Sequence, residues 1–131
     1  VRYINNELYT DQPDGLSGNE DCGQMSAWYI FSSIGFYPVN PSNGAYVFGS
    51  PLFDNVEIDV PGRKKFTVKT VNNSDENIYI QSVFLNGKKY DYSYITHKQI
   101  TSGGELKFIM GSKPNYGFGV NKKYRPKSIV Y

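Results

Sequence analysis

A chain of 131 residues is about one domain, long enough to bury roughly two-thirds of its unfolded surface in one core. Twelve Tyr and eight Phe against a single Trp, with thirteen Gly and seven Pro, suit short strands and turns better than a helical bundle. The net charge of +2 hides eight acids against one base up to Asp59, then thirteen Lys or Arg against four acids; the lysines alternate with apolar residues, as in Lys65-Phe-Thr-Val-Lys69, so they read as a solvated strand face and not as a nucleic-acid surface.

Residues 1 to 9 place Val1, Ile4 and Leu8 at helical spacing, with Asn5, Asn6 and Glu7 on the other side. This is the pattern of the last turns of an amphipathic helix. Val1 is not an initiator Met, and the opening residues lack the basic and apolar regions of a signal peptide, so the expectation is a start inside a longer polypeptide. Asp11, Pro13, Asp14 and Gly15 form a turn cluster. Gly18-Asn-Glu-Asp-Cys22 follows as an acidic tip, and it runs directly into an uncharged segment.

From Cys22 to Ile34 the sequence predicts a helix, with Asp21 as its N-cap and Gly35 and Pro38 as its stop. Met25, Trp28, Tyr29, Phe31 and Ile34 cover most of its circumference. A helix apolar nearly all round is normally enclosed by protein, and one helix cannot enclose itself, so partner helices are expected. No charged residue occurs from Cys22 to Phe53. Gly35, Pro38, Asn40, Pro41, Asn43 and Gly44 nevertheless interrupt this run well short of the ~20 residues of a membrane span, and none is expected.

After Gly44 the period changes to that of strands. Ala45 to Phe48, Val56 to Val60, Phe66 to Val71, Ile78 to Leu85, Tyr92 to Ile95 and Leu106 to Met110 are runs rich in Val, Ile, Tyr and Phe, separated by Gly-, Pro- and Asn-containing turns. Asn86-Gly87 is a type I′ hairpin signal. The predicted class is α+β and mainly β. Residues 1–44 form a helical hairpin and loop carrying the acidic motif, and residues 45–131 an antiparallel, sandwich-like β-subdomain.

Chemistry concentrates at the tip. An amide and two carboxylates, Asn19, Glu20 and Asp21, stand beside a helix N-terminus that favours negative charge. Asp21 there suits a general base activating water, or a ligand to a hard cation. The plainer reading is that Asp21 only caps the helix and Glu20 is solvated; the residues alone leave both open. The acids do not have the calcium-loop spacing, and the single His97, at a strand edge, offers no zinc set and reads as structural. Cys22 permits no internal disulfide. Asn72-Asn-Ser74 is a glycosylation sequon that matters only in a secretory pathway. Lys113-Pro-Asn-Tyr-Gly-Phe-Gly119 is a turn-rich closing segment that caps strands or offers aromatic rings to a sugar.

Four stretches then carry a resemblance: Asp14-Gly-Leu-Ser-Gly-Asn-Glu-Asp-Cys-Gly-Gln-Met-Ser-Ala-Trp-Tyr-Ile-Phe, Gly35-Phe-Tyr-Pro-Val, Tyr46-Val-Phe-Gly-Ser-Pro-Leu-Phe, and Gly103-Gly-Glu-Leu-Lys-Phe-Ile-Met-Gly with Lys113-Pro-Asn. In order and over nearly the whole chain, they resemble the C-terminal part of glycoside hydrolase family 92. Its members are exo-acting α-mannosidases, many of them α-1,2-mannosidases of gut Bacteroidetes that trim glycoprotein glycans.

The resemblance implies calcium-assisted, inverting hydrolysis of α-mannoside glycans, in a cleft between an N-terminal β-sandwich and an (α/α)6 barrel. It places the general base at Asp21. It puts Asn19, where some members have a second Asp, in a water-orienting role, and Glu20 in sugar or metal contact. The general acid and most calcium ligands would lie upstream, the partner would be the remainder of the same polypeptide, and the location secreted, periplasmic or cell-surface. Residues 1–131 alone would then be inactive. The competing class is a non-catalytic β-sandwich that binds carbohydrate or another domain.

Overall fold

The structure is a computed structural model that describes residues 1–127. Two helices come first, α1 (Arg2–Glu7) and α2 (Gln24–Ile34). Eight strands and one short helix follow: β1 (Phe36–Asn40), β2 (Ala45–Phe48), β3 (Asn55–Val60), β4 (Lys64–Val71), β5 (Tyr79–Leu85), β6 (Lys88–Lys89), β7 (Tyr94–Thr96), α3 (His97–Thr101) and β8 (Gly104–Gly111). The described residues are mainly β, in two sheets, as the turn-rich aromatic composition predicts.

The smaller sheet has the order β1-β2-β7, with both pairs antiparallel. Pro38 has no N–H for a ladder, and it lies on β1, an edge strand whose register shifts between Tyr37 and Asn40. The larger sheet has the order β3-β4-β8-β5-β6. Its pairs are antiparallel except β4 with β8, which run parallel from Phe66 opposite Gly104 to Val71 opposite Ile109. The expected β-rich subdomain is present, and the β4–β8 pair departs from its expected antiparallel pairing. Apolar alternation reports which face is buried but says nothing about strand direction.

That alternation sets the core. Phe66 and Val68 on β4, Val83 on β5, and Leu106, Phe108 and Met110 on β8 turn to one face and are buried. Phe36 of β1, Ile95 of β7 and Ile100 of α3 join them from the smaller sheet and its flank. Phe48 meets Phe108 edge-on with ring centroids 5.2 Å apart, a favoured aromatic geometry that links the two sheets. Asn86 and Gly87 have φ of 51° and 76°, both positive as a type I′ turn requires, and they join β5 to β6.

The strand β1 and the helix α3 are additions to the runs read from sequence, whereas β6 lies in the Lys88 to Tyr90 segment that the Asn86-Gly87 signal pairs with Ile78 to Leu85. Helix α3 starts with a capping box, in which Thr96 Oγ1 accepts from Gln99 N and Gln99 Oε1 accepts from Thr96 N. His97 is therefore the first residue of α3 and not a strand-edge residue. Its Nδ1 lies 3.1 Å from the Tyr46 hydroxyl, and the two rings stack, in keeping with a structural role.

Candidate functional site

The helical pair that carries the acidic tip is tied to the sheets at both ends. On α1, the buried Arg2 donates to Ser50 Oγ at 3.3 Å, to Asn73 Oδ1 at 2.6 Å and to the Pro51 carbonyl. Burial lowers the Arg2 pKa, with the charges of Asp75 and Asp54 acting against that shift. Helix α2 ends at Gly35, whose φ of 112° is natural only for glycine, and its amide closes onto the Phe31 carbonyl. A Cβ at Gly35 would lie 3.0 Å from Pro51 Cβ and 3.2 Å from Phe108 Cε2, so the helix stops in direct contact with the core.

Between the helices, Tyr9 is the fastener. Its ring stacks on Trp28 at 5.7 Å with a 12° interplanar angle and lies 4.9 Å from Tyr29, and its hydroxyl donates to the Met25 carbonyl at 3.2 Å. Burial, then the nearby negative charge of Glu20, then Tyr37 raise the Tyr9 pKa. Sequence reasoning missed this residue, because Tyr9 falls just past the helical pattern and nothing local pairs it with Trp28. A hollow of about 280 Å³, walled by Tyr9, Trp28, Met25 and Gln24, opens beside the tip.

The tip itself departs from the predicted cap. Helix α2 begins at Gln24 with Gly23 at the N-cap, so Asp21 does not cap it. Asp21, Cys22 and Gly23 have φ of 47°, 59° and 87°, three consecutive left-handed residues that a capping Asp, which needs extended backbone, would not adopt. The capping work falls to Glu20. Its carbonyl accepts from Gln24 N at 3.0 Å and Met25 N at 3.4 Å, and its carboxylate Oε1 accepts from Ser26 N at 3.1 Å. Glu20 Oε2 is buried and, among the described residues, has no hydrogen-bond partner.

The structure thus gathers all three expected residues on one loop and separates their environments. Asn19 and Asp21 are exposed, while Glu20 is half-buried under the first turn of α2. A left-handed non-glycine residue costs of order 1–3 kcal/mol, and two in succession, Asp21 and Cys22, fix the direction in which the tip turns. No group of three or more His, Cys, Asp or Glu side chains among the described residues is placed to hold a metal. Cys22 is exposed and unpaired. Asn72 of the sequon donates its Nδ2 to the Met110 carbonyl at 3.3 Å, binding the turn after β4 to β8.

Helix α2 is also not enclosed. Ser32 and Ser33 are buried, whereas Ile30 is 57% exposed, and on α1 Tyr3 is 72% exposed. No helix among the described residues is long and apolar enough to cross a membrane.

The sequence profile of the glycosyl hydrolase family 92 catalytic domain matches residues 1–112. An uncharacterized secreted glycosidase of Arthroderma benhamiae is 36% identical over 117 residues, which are 86% of this chain and 15% of that protein. A family GH92 alpha-mannosidase from Bacteroides thetaiotaomicron, solved in complex with mannoimidazole, superimposes on 98% of this chain and 17% of its own, with a TM-score of 0.91 and 45% identity. A family GH92 inverting mannosidase from the same bacterium covers 97% of this chain and 17% of its own, with a TM-score of 0.90 and 41% identity. The chain spans between 15% and 17% of the length of these relatives.

Proposed function

The chain belongs to glycosyl hydrolase family 92, and from that membership we propose that it is part of an inverting exo-α-mannosidase, of α-1,2 specificity, in which it supplies the general base. Asp21 takes the proton of a water that attacks the anomeric carbon, and an acid from another part of the enzyme protonates the leaving oxygen on the opposite face. Inversion needs roughly 6.5–9.5 Å between the two carboxyl groups, enough to hold that water. Asn19, two residues away and equally exposed, orients the water through its amide, which accepts and donates hydrogen bonds but cannot take the proton.

The observation that carries this reading is the division of labour at the tip. Glu20 satisfies the N-terminal amides of α2, which leaves the Asp21 carboxylate uncommitted at an exposed, left-handed turn. A base must be free to reach its water, and a carboxylate spent on a cap is not. Glu20 Oε2, buried and without a hydrogen-bond partner among the described residues, has to turn outward to meet a sugar hydroxyl or a metal. Calcium dependence belongs to the same proposal, with ligands drawn mainly from outside this chain. So do a secreted, periplasmic or cell-surface location, in keeping with the secreted relative, and docking of the exposed α1 and α2 residues against barrel helices of the same polypeptide.

The test uses the whole polypeptide that contains these residues. Hydrolysis of an α-1,2-linked mannobiose, followed by NMR, should release β-mannose first, and Asp21→Asn should lower kcat by about 10²- to 10⁴-fold. An unchanged kcat in Asp21→Asn, or α-mannose as the first product, would overturn the assignment.

A further inference from the structure

A second hollow, of about 370 Å³, shares no residue with the acidic tip. One wall is the β5–β6 side of the larger sheet, with Ser82, Tyr90 and Asp91. The other is the closing segment, with Phe118, Asn121 and Tyr124. Its size falls within the range of small-molecule sites, and its walls combine aromatic rings with a few polar groups, which is the usual composition of such sites.

Both walls are held in place by hydrogen bonds and ring contacts among the lining residues and their neighbours. Asn115 donates to the Gln81 carbonyl at 2.7 Å and accepts from Gly117 N at 2.9 Å, which fastens the segment to β5. Arg125 clamps the carbonyls of Gly119 and Val120 at 2.7 and 2.6 Å. The Tyr124 carbonyl accepts from Ser93 N at 2.9 Å and from Ser93 Oγ at 3.2 Å. Tyr92 braces Tyr90 and Tyr124 together, with centroids 5.3 Å from each. The Tyr90 hydroxyl is pinned by Gln99, at 3.2 Å from its Nε2. A preformed site of this kind loses little entropy on binding.

The charges narrow the ligand. Lys89 and Asp91 both line the hollow and pair with each other at 3.7 Å, so the site carries no net charge to recruit an anion or a cation. Lys123 Nζ lies 4.5 Å over one face of Tyr124, so a stacking ligand would use the other face. Asn121 spends its Oδ1 on Lys123 N at 3.1 Å and keeps its amide N–H groups for a ligand. We propose that this hollow binds a neutral hexopyranose residue, with its C–H face on Tyr124 or Phe118 and its hydroxyls on Asp91 and Asn121. The proposal stands independently of Asp21.

The experiment is an amide-resolved NMR titration of the chain with methyl α-mannoside, methyl α-glucoside and methyl α-galactoside, with sodium sulfate and a neutral tetrapeptide as controls. At least one glycoside should shift the amides of Ser82, Gly117, Gly119 and Asn121 along one millimolar binding curve not followed by Asn19 to Gly23. Tyr124→Ala, whose backbone bonds to Ser93 survive the change, should weaken binding about three- to tenfold. Tyr124→Phe should retain it, and Asp91→Asn should weaken it. Absence of shifts with all three glycosides, equal binding by Tyr124→Ala and Asp91→Asn, or a response to sulfate or peptide alone would each overturn the proposal.

Discussion

The carboxylate of Glu20 accepts the backbone N–H of Ser26 at 3.1 Å, spanning six residues of sequence to close the first turn of α2. Asp21, one residue nearer the helix, shares the Gln24 N–H through its backbone carbonyl at 3.3 Å, but its carboxylate takes no part in that cap. The two neighbouring acids should therefore separate stability from activity. Glu20→Ala removes a charge-assisted cap and should cost about 1 kcal/mol in chemical denaturation. Asp21→Asn should leave the denaturation midpoint unchanged while lowering kcat for mannoside hydrolysis in the whole polypeptide by about 10²- to 10⁴-fold. The reverse pattern would return Asp21 to the role of a cap.

Arg2 should be the strongest single link between the helices and the β-structure. Its guanidinium serves Ser50, Pro51 and Asn73 together, and Asn73 in turn donates to the Leu52 carbonyl at 3.0 Å and to Asp54 at 3.1 Å. Arg2→Ala leaves buried acceptors unpaired and should destabilise by about 2–3 kcal/mol. Arg2→Lys should recover less than half of that, because one ammonium cannot reproduce the planar fork. Equilibrium unfolding in urea measures both.

Gly35→Ala should destabilise the chain by about 2 kcal/mol or more, through a left-handed φ and through crowding of Pro51 and Phe108. Gly87→Ala, also at positive φ but with no neighbour near its Cβ direction, should cost less. The difference between the two, read from thermal melts, isolates the contact from the backbone strain.

On the cross-strand pair of β3 and β4, Lys65 Nζ lies 2.5 Å from Glu57 Oε2, and both side chains are exposed. The hydrogen bond to Lys65 lowers the Glu57 pKa below 4.5, and the same bond raises the Lys65 pKa above 10.5. A depressed carboxylate contributes stability above its unfolded pKa and loses it as pH falls through the folded value. A raised lysine contributes below its unfolded pKa and loses it as pH rises through the folded value. The pair therefore helps between about pH 4.5 and 10.5. NMR titration of the Glu57 side chain should give a midpoint below 4.5 that climbs back in Lys65→Met, and in concentrated salt, which screens exposed pairs.

Residues 1–131 by themselves should hydrolyse no α-mannoside, with or without added calcium, since the proposed base has no acid across from it. Release of mannose by the isolated chain, abolished by Asp21→Asn, would place the acid within these residues.

Much of this was legible because period-2 burial is written locally. Val56 to Val60 and Phe66 to Val71 alternate as the strands β3 and β4 do, and Asn86-Gly87 takes the positive φ values its residue types favour. Proximity of the three tip residues was legible too, since they are consecutive. Asp21 has the residue type of a cap, but the positive φ of Asp21 and Cys22 is not the extended backbone that a cap needs, and Glu20 Oε1 takes Ser26 N instead. Elsewhere a long-range partner decides the outcome. Arg2 gave no signal, because its acceptors lie 48 to 71 positions away. The parallel pairing of β4 with β8 was invisible for the same reason.

That parallel pairing also governs when the chain can fold. The middle of the larger sheet joins residues 66–71 to residues 104–109, so β4 remains an unfinished edge until β8 has been made. The β3–β4 hairpin can form early, but it offers Phe66 and Val68 to water until Leu106 and Phe108 arrive to cover them. Synthesis that halts before Gly104 would leave an adhesive half-sheet with no native route to burial. Refolding dominated by such distant contacts belongs to the millisecond-to-second class. The same thread that centres the sheet makes its last third the step on which the rest waits.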